Sequence, residues 1–290
     1  MFIGNRFFDT GKTHIVGILN VTPDSFSDGG KNDSVDKALY SVQEMISRGA
    51  AMIDVGGEST RPGFTPVDPV LEMERTVPVI EKIKKRFDIT VSIDTTKGSV
   101  AQCAIEAGAD MINDVSGLME DEGMAKLAAE SGAALCIMHN SNYFDKGTGS
   151  VEQEPITACG NGIRPDHVRY KPWFIEEIGE CLKRAFDAGV SKDRIILDPG
   201  IGFKGSYERD MEVLSKDRFG LPEGYPVLLG VSRKSVIGKT LDLDVGERGP
   251  GTMALTALAV MRRISFVRVH DVKENVQVVK MLEALRRYER

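Results

Sequence analysis

Short apolar runs alternate with longer stretches of helical spacing along nearly the whole chain. The runs are HIVGILNV from His14, MIDVGG from Met52, TVSIDT from Thr90 and DMINDVSG from Asp110. They continue with ALCIMHN from Ala134, RIILDPG from Arg194, VLLGVS from Val227 and FVRVHDV from Phe266. Few polar residues interrupt them, and β-branched residues recur. That is the pattern of strands buried on both faces of a parallel sheet. In the first intervening stretch Val35, Leu39, Val42 and Ile46 recur at three- and four-residue steps, and Gly49 closes it. GSVAQCAIEAGAD places Val100, Ala104 and Ala107 on one face and ends at Gly108, a common helix stop. Helices are also predicted around 173–186, 211–214, 253–261 and 275–288.

Eight strand-then-helix units predict an α/β fold, a (β/α)8 TIM barrel, as a single domain over 1–290. The rival is a doubly wound open sheet. That fold carries a glycine-rich phosphate loop after its first strand, where this chain reads NVTPDSFSDGG. The stretch 141–171 breaks the repeat. It is polar and aperiodic, and its length suits an insertion-like loop.

Composition narrows the function classes. The 290 residues include 37 Lys+Arg and 43 Asp+Glu, a formal net charge of -6. An acidic chain lacks the global basic field of a nucleic-acid binder, although a local cluster of cations can still hold a small anion. No apolar run reaches the ~18 residues of a membrane helix. The N-terminus has no signal-peptide architecture. The 4 cysteines are widely spaced with no CxxC pair, so a cytoplasmic protein with reduced thiols is expected.

In such a barrel the active site stands at the C-terminal ends of the strands. Polar residues occupy nearly every one: Asn20, Glu58, Asp94, Asn113, Asp114, His139, Asn140, Asp198, Ser232, Arg268, His270 and Asp271. Each has a bland reading. An Asp or Asn there often caps the next helix, and Asp94 alone reads equally well as a cap. Their coincidence on one rim points to a converging pocket. Asp94, Asn113, Asp198 and Lys234 suit a flat, nitrogen-rich heterocycle, because a carboxylate accepts two parallel N–H bonds from an amino-pyrimidinone edge. Arg61, Arg268 and His270 suit phosphates. Asn20 offers a neutral oxygen to Mg²⁺, which prefers few protein ligands plus phosphate oxygens and water. The loops 22–30 and 57–66 are rich in Gly, Pro, Ser and Thr and read as lids over this rim. GIGFKG from Gly200 fits a dinucleotide motif, but it follows the sixth strand with no acidic ribose partner. His139 lacks a second His or Cys nearby, so a hydrogen-bonding or pocket-wall role is expected rather than metal ligation.

These residues resemble the dihydropteroate synthases of the pterin-binding barrel family. IVGILNVTPDSFSDGG and DVGGESTRPG are similar to its first two signatures. SIDTTK, INDVSG, LDPGIGF, GVSRKSVIG and RVHDV resemble later strand ends in order. Only 141–171 departs. The resemblance implies condensation of 6-hydroxymethyl-7,8-dihydropterin diphosphate with 4-aminobenzoate, giving 7,8-dihydropteroate and pyrophosphate in folate synthesis. It implies that Asp94, Asn113, Met138, Asp198 and Lys234 hold the pterin. Thr60, Arg268 and His270 would hold the diphosphate, with Asn20 acting through Mg²⁺. Phe26, Pro62, Phe203 and Ser232 would frame the aminobenzoate. Asp28 and Arg61, on the two lids, would join Lys234, Arg268 and His270 in catalysis. It also implies a homodimer and competition by sulfonamides. The rivals are a pterin-dependent methyltransferase, a Schiff-base aldolase using Lys234 and a non-catalytic pterin-binding protein. The two loop signatures and the SRK segment argue against the first, and the anion-binding neighbours of Lys234 against the second. The complete set from Asn20 to His270 argues against the third.

Overall fold

The structure, a computed structural model, describes residues 1–22, 31–58, 66–144, 172–203 and 206–288. The chain opens with an antiparallel hairpin of β1 (Phe2–Ile3) and β2 (Arg6–Phe7). Each of the eight apolar runs then forms a strand: β3 (His14–Asn20), β4 (Met52–Gly56), β5 (Thr90–Asp94) and β6 (Met111–Asp114), then β7 (Ala134–Met138), β8 (Ile195–Asp198), β9 (Leu228–Gly230) and β10 (Phe266–Val269). All pair in parallel, in the spatial order β8-β7-β6-β5-β4-β3-β10-β9. A parallel bridge between Leu197 and Val227 brings the first and last of these together. The Leu197 N–H donates to the Pro226 carbonyl at 3.0 Å beside it, and the sheet rounds into a barrel.

Helices follow each strand: α1 (Lys31–Ser47), α2 (Pro69–Arg86), α3 (Gly98–Glu106), α4 (Met124–Ser131) and α5 (Pro172–Asp187), then α6 (Tyr207–Ser215), α7 (Ser235–Leu241), α8 (Gly249–Met261) and α9 (Val272–Arg286). Both α7 and α8 lie between β9 and β10. Local chemistry sets several boundaries. The Asp68 carboxylate accepts from the Val70 N–H at 2.9 Å, Pro69 opens α2, and Lys84, Lys85 and Arg86 sit in its last turn. The Ser206 hydroxyl accepts from the Arg209 N–H at 3.2 Å, so α6 begins ahead of its apolar stripe. Gly49 and Gly108 follow α1 and α3 with φ of 99° and 107°, the left-handed geometry expected of helix stops. Periodicity had not singled out α2 or α4. Glu72 and Thr76 interrupt the buried face of α2, and α4 spans 8 residues, about two turns. Of 141–171, the turn Ser141–Tyr143 is described, opened by Asn140 accepting from the Asn142 N–H at 3.2 Å; 145–171 lies outside the described residues.

The strand parity divides the core in two. Outward residues such as Ile53, Val55, Val91, Ile93, Ile112 and Leu135 pack under the helices. The inward set is Val16, Met52, Met111, Ala134, Cys136, Ile196, Leu228 and Phe266, which fill the lower barrel. Ile3 and Phe8 from the hairpin join this inner cluster. Phe8 meets Phe266 edge-on at 5.5 Å, so the N-terminal segment plugs the bottom of the barrel. Higher up the same inward parity turns polar, reaching Asn20, Asp54, Asp94, Asn113, Asp198 and Arg268. An apolar floor below a polar mouth is what a barrel needs to hold a ligand at one end only.

Phe8→Ala removes a ring that is 2% exposed and packs against Phe266. It should cost about 3–5 kcal/mol, read as a lower urea midpoint with unchanged slope.

Candidate active site

The sheet register places Gly56, Asp94 and Asn113 side by side at one level, with Asp54 one inward step below on β4. Arg268, from β10 across the barrel, reaches this group. Its Nε donates to Asp54 Oδ2 and its Nη2 to Asp94 Oδ2, each at 2.5 Å. Asn113 Nδ2 donates to the same Asp54 oxygen at 3.2 Å. Burial works against the Arg268 charge, but Asp54 and Asp94 outweigh it and hold its pKa above the ordinary arginine value. Asp94 is pushed up to about 7 by burial, against the pull of Arg268 and with repulsion from Asp54. One guanidinium shared between two carboxylates does not compensate both fully. Among the described residues, the second oxygens of Asp54 and Asp94, and the Ser92 hydroxyl, are buried without a hydrogen-bond partner. Acceptors left in that state are costly until an N–H reaches them.

A second pair lies beside Gly230. A Cβ on that glycine would stand 3.5 Å from Asp198 Oδ2 and 3.9 Å from Lys234 Nζ, so the carboxylate and ammonium share one concavity. Burial raises Asp198 to about 6, with Lys234 and the Gly200 N–H bond opposing. Burial lowers Lys234 to about 8, with Asp198 opposing. The Lys234 ammonium donates to the Ile201 carbonyl and lies 4.4 Å from the centre of the Phe203 ring. Met138, 2% exposed, ends β7 next to Asp198 in register. At the rim the Ser232 hydroxyl accepts from the His270 N–H at 3.1 Å and meets His270 Nδ1 at 2.9 Å. Asn20 Oδ1 faces Asp94 across Gly56, 3.7 Å from where a Cβ would stand there.

The structure thus brings Asn20, Asp94, Asn113, Met138, Asp198, Phe203, Ser232, Lys234, Arg268 and His270 to one end of the barrel. Phe26, Asp28, Thr60, Arg61 and Pro62 lie outside the described residues, as does most of the two predicted lids. Several strand-end residues sort differently. Asp94 is no helix cap: Lys97 precedes α3, and the Gly98 N–H is taken by Asp121 at 2.7 Å. Asp114 turns the chain by accepting from the Ser116 and Leu118 N–H groups, each at 2.8 Å. Asp271 holds Arg233 through two bonds of 3.1 and 2.5 Å. His139 points outward by parity and meets Glu177 of α5 at 2.5 Å, a hydrogen-bonding role outside the pocket.

Arg268 is engaged by both Asp54 and Asp94. Among the described residues Asp54, Asp94 and Asp198 face Arg268 and Lys234, so carboxylates outnumber cations in the mouth. Asp54 escaped the sequence reading because it sits inside the apolar run MIDVG rather than at its end. The signal was present: a carboxylate at the parity of Met52 and Gly56 must face the barrel interior and needs a cation.

Comparison with known proteins agrees with this geometry. The family described as "Pterin binding enzyme" matches residues 16–270. A dihydropteroate synthase from Clostridium beijerinckii is 46% identical over 290 residues, covering 98% of this chain and 99% of that protein. A solved dihydropteroate synthase from Clostridium difficile, crystallised with pteroic acid, superposes with a TM-score of 0.84 at 42% identity, covering 96% of this chain and 99% of that one. The Yersinia pestis enzyme in complex with a sulfonamide drug gives 0.82 at 35% identity, covering 99% and 98%.

The folded protein holds the Asp94 proton more tightly than the unfolded chain, whose carboxyl has the ordinary value of 3.8. Its contribution to stability is therefore complete below that pH and is lost as pH rises to about 7. Asp94→Asn should flatten the fall in urea midpoint across that window; an unchanged slope would contradict the assignment.

Proposed function

The chain belongs to the pterin-binding enzymes, among the dihydropteroate synthases, and on that premise we propose how its residues carry out the reaction. It condenses 6-hydroxymethyl-7,8-dihydropterin diphosphate with 4-aminobenzoate to give 7,8-dihydropteroate and pyrophosphate. The observation that carries this reading is the Asp198–Lys234 pair at Gly230, beside Asn113 and Asp94 and beneath the Ser232–His270 pair. A flat ring with N–H donors fits the first group, and its charged arm then points to the rim.

Asp198 accepts from the amino-pyrimidinone edge, Lys234 donates to a ring acceptor, and Asn113 and Asp94 take the remaining polar atoms. Met138 forms an apolar wall. His270 and Thr60 hold the diphosphate, with Arg268 using the N–H groups that Asp54 and Asp94 leave over. Phe26, Pro62, Phe203 and Ser232 frame the aminobenzoate. Among the described residues no cluster of three His, Cys, Asp or Glu side chains could hold a metal. The neutral oxygen of Asn20 fits Mg²⁺, because that ion takes its other ligands from phosphate and water. Bound there, Mg²⁺ supplies charge neutralisation on the diphosphate.

The bond between the exocyclic carbon and the diphosphate oxygen breaks first, and pyrophosphate leaves with the electron pair. The electron-rich ring delocalises the resulting cation, which Asp28 stabilises. Arg268 and His270 stabilise the developing negative charge. The arylamine nitrogen then attacks and gives up its proton to solvent. Arg61, on the second loop, acts with Asp28 to keep water out until then.

No helix among the described residues is long and apolar enough to cross a membrane. We place the protein in the cytoplasm. We also place it in a homodimer, because α8 is apolar along most of its length. Its Met261 is 71% exposed, and Met281 and Leu285 of α9, with Tyr288 just after it, are exposed as well. A second copy of the same face would cover both helices.

Pyrophosphate should appear when both substrates are supplied and fall at least a hundredfold in Asp94→Ala. No release from the wild type would overturn the assigned reaction. Release of pyrophosphate without 4-aminobenzoate is the mark of the stepwise path, and its strict absence would indicate coupled displacement. Dihydropterin affinity should be bell-shaped in pH. It falls below about 6 as Asp198 takes up a proton and above about 8 as Lys234 loses one. Lys234→Ala should weaken binding by about 2 kcal/mol, read by calorimetry. Sedimentation should give a dimer for the wild type and a monomer for Met261→Glu.

A further inference from the structure

Arg233 stands between Ser232 and Lys234, and Asp271 follows His270. The two form a forked ion pair: Arg233 Nε donates to Asp271 Oδ2 at 3.1 Å and Nη2 to Oδ1 at 2.5 Å. A fork on a carboxylate fixes distance and orientation together. The backbone is arranged to present this pair. The Lys234 N–H donates to the Val231 carbonyl at 3.2 Å, closing a turn with Ser232 and Arg233 at its centre. Arg233 holds φ at 58° there, a left-handed conformation that ordinarily goes to glycine or asparagine. Asp271 stands at the N-cap of α9, yet among the described residues its carboxylate accepts from no helix N–H. A strained arginine and an aspartate diverted from its cap lead to the same contact.

Both ends of the pair are seated on α8. The fully buried Thr252 hydroxyl accepts from the Arg233 N–H at 3.1 Å and donates to the Arg248 carbonyl at 3.0 Å. Arg248 Nη1 donates to the Arg233 carbonyl at 3.1 Å. Thr256, one turn further and also fully buried, donates to Asn275 Oδ1 at 2.6 Å, and Asn275 Nδ2 donates to the Asp271 carbonyl at 2.7 Å. The β9–β10 ladder itself ends at Gly230 and Arg268. Beyond it, both Ser232–His270 contacts pass through one hydroxyl oxygen, about which the two exits can pivot. A second, forked contact one residue further removes that pivot.

We propose that Arg233 and Asp271 are positioning residues for the reaction: their ion pair sets the exit of β9, carrying Ser232 and Lys234, against the exit of β10, carrying His270. This rests on the roles given above to Lys234 at the pterin and His270 at the diphosphate. Lys234 keeps its own supports, the Ile201 carbonyl and the Phe203 ring. Each half of the site therefore survives loss of the pair, and their spacing does not. A ligand that spans both halves gains from a preset spacing, because its second contact needs no further ordering. A ligand that fills one half gains nothing from it.

The test compares Arg233→Gly, Asp271→Ala and the double variant in the full-length protein. Three ligands are titrated by calorimetry in one Mg²⁺-containing buffer: 6-hydroxymethyl-7,8-dihydropterin, pyrophosphate, and the dihydropterin diphosphate that joins them. The kcat and Tm are measured alongside. Each variant should bind the two fragments within about threefold of the wild type, bind the joined ligand about fivefold or more weakly, and turn over about tenfold or more slowly. The single variants change net charge in opposite directions, so a loss shared by both is not an effect of charge on the anions. Glycine adopts the left-handed turn freely, so Arg233→Gly should fold even if Asp271→Ala does not. The double variant should lose no more than either single one, as two halves of one contact do. Wild-type affinity for the joined ligand in Arg233→Gly, fragment losses that match the loss for the joined ligand, or additive losses in the double variant would overturn the inference. A wild type that releases no pyrophosphate would instead overturn the assigned reaction.

Discussion

The mouth of the barrel is organised by one guanidinium held between two carboxylates. Arg268 spans from β10 to Asp54 and Asp94 on neighbouring strands, at 2.5 Å to each. Its charge makes it possible to bury Asp54, which is only 1% exposed, inside a parallel sheet. Asn113 and Asp94 are placed by the same group. Removing Arg268 would leave both carboxylates uncompensated in a low-dielectric interior. Among the described residues the arrangement also leaves one acceptor unsatisfied on each of Asp54 and Asp94.

The lower barrel makes that cluster tolerable. The hairpin inserts Ile3 and Phe8 against Val16, Met52, Met111 and Phe266, so the floor is dry and closed. Burial raises Asp94 and Asp198 and lowers Lys234, bringing three groups towards neutral pH in one cavity. Groups with pKa values near the working pH are common where protons and charges change during a reaction. The ionic tie of Lys97 to Glu58 and Glu72 lies between the helix layer and the strand exits.

Much of this was legible from the chain. The eight apolar runs are the eight barrel strands, because a parallel strand buried on both faces has a signature that few other elements share. Ten of the candidate residues meet at one end of the barrel, because residues at strand exits share a rim whenever the sheet closes. Asp54 and Glu72 were not legible as partners. Each lies within an apolar stretch, and a carboxylate there shows that a cation is needed without showing which one. The N-terminal hairpin was missed because two-residue strands carry no period.

The sequence by itself determined the number and order of the barrel strands and the family to which the chain belongs. These follow from local period and from residues standing at fixed offsets from strand ends. Only the tertiary structure decided which charges meet. Arg268 and Asp54 are 214 positions apart, and Lys97 and Glu58 are 39 apart. Closure of the sheet brings such groups within 3 Å, and at that distance in a buried site pairing outweighs anything composition can indicate. The chain's net charge of -6 is therefore silent about its active site. The mouth is a compensated cluster whose balance depends on geometry.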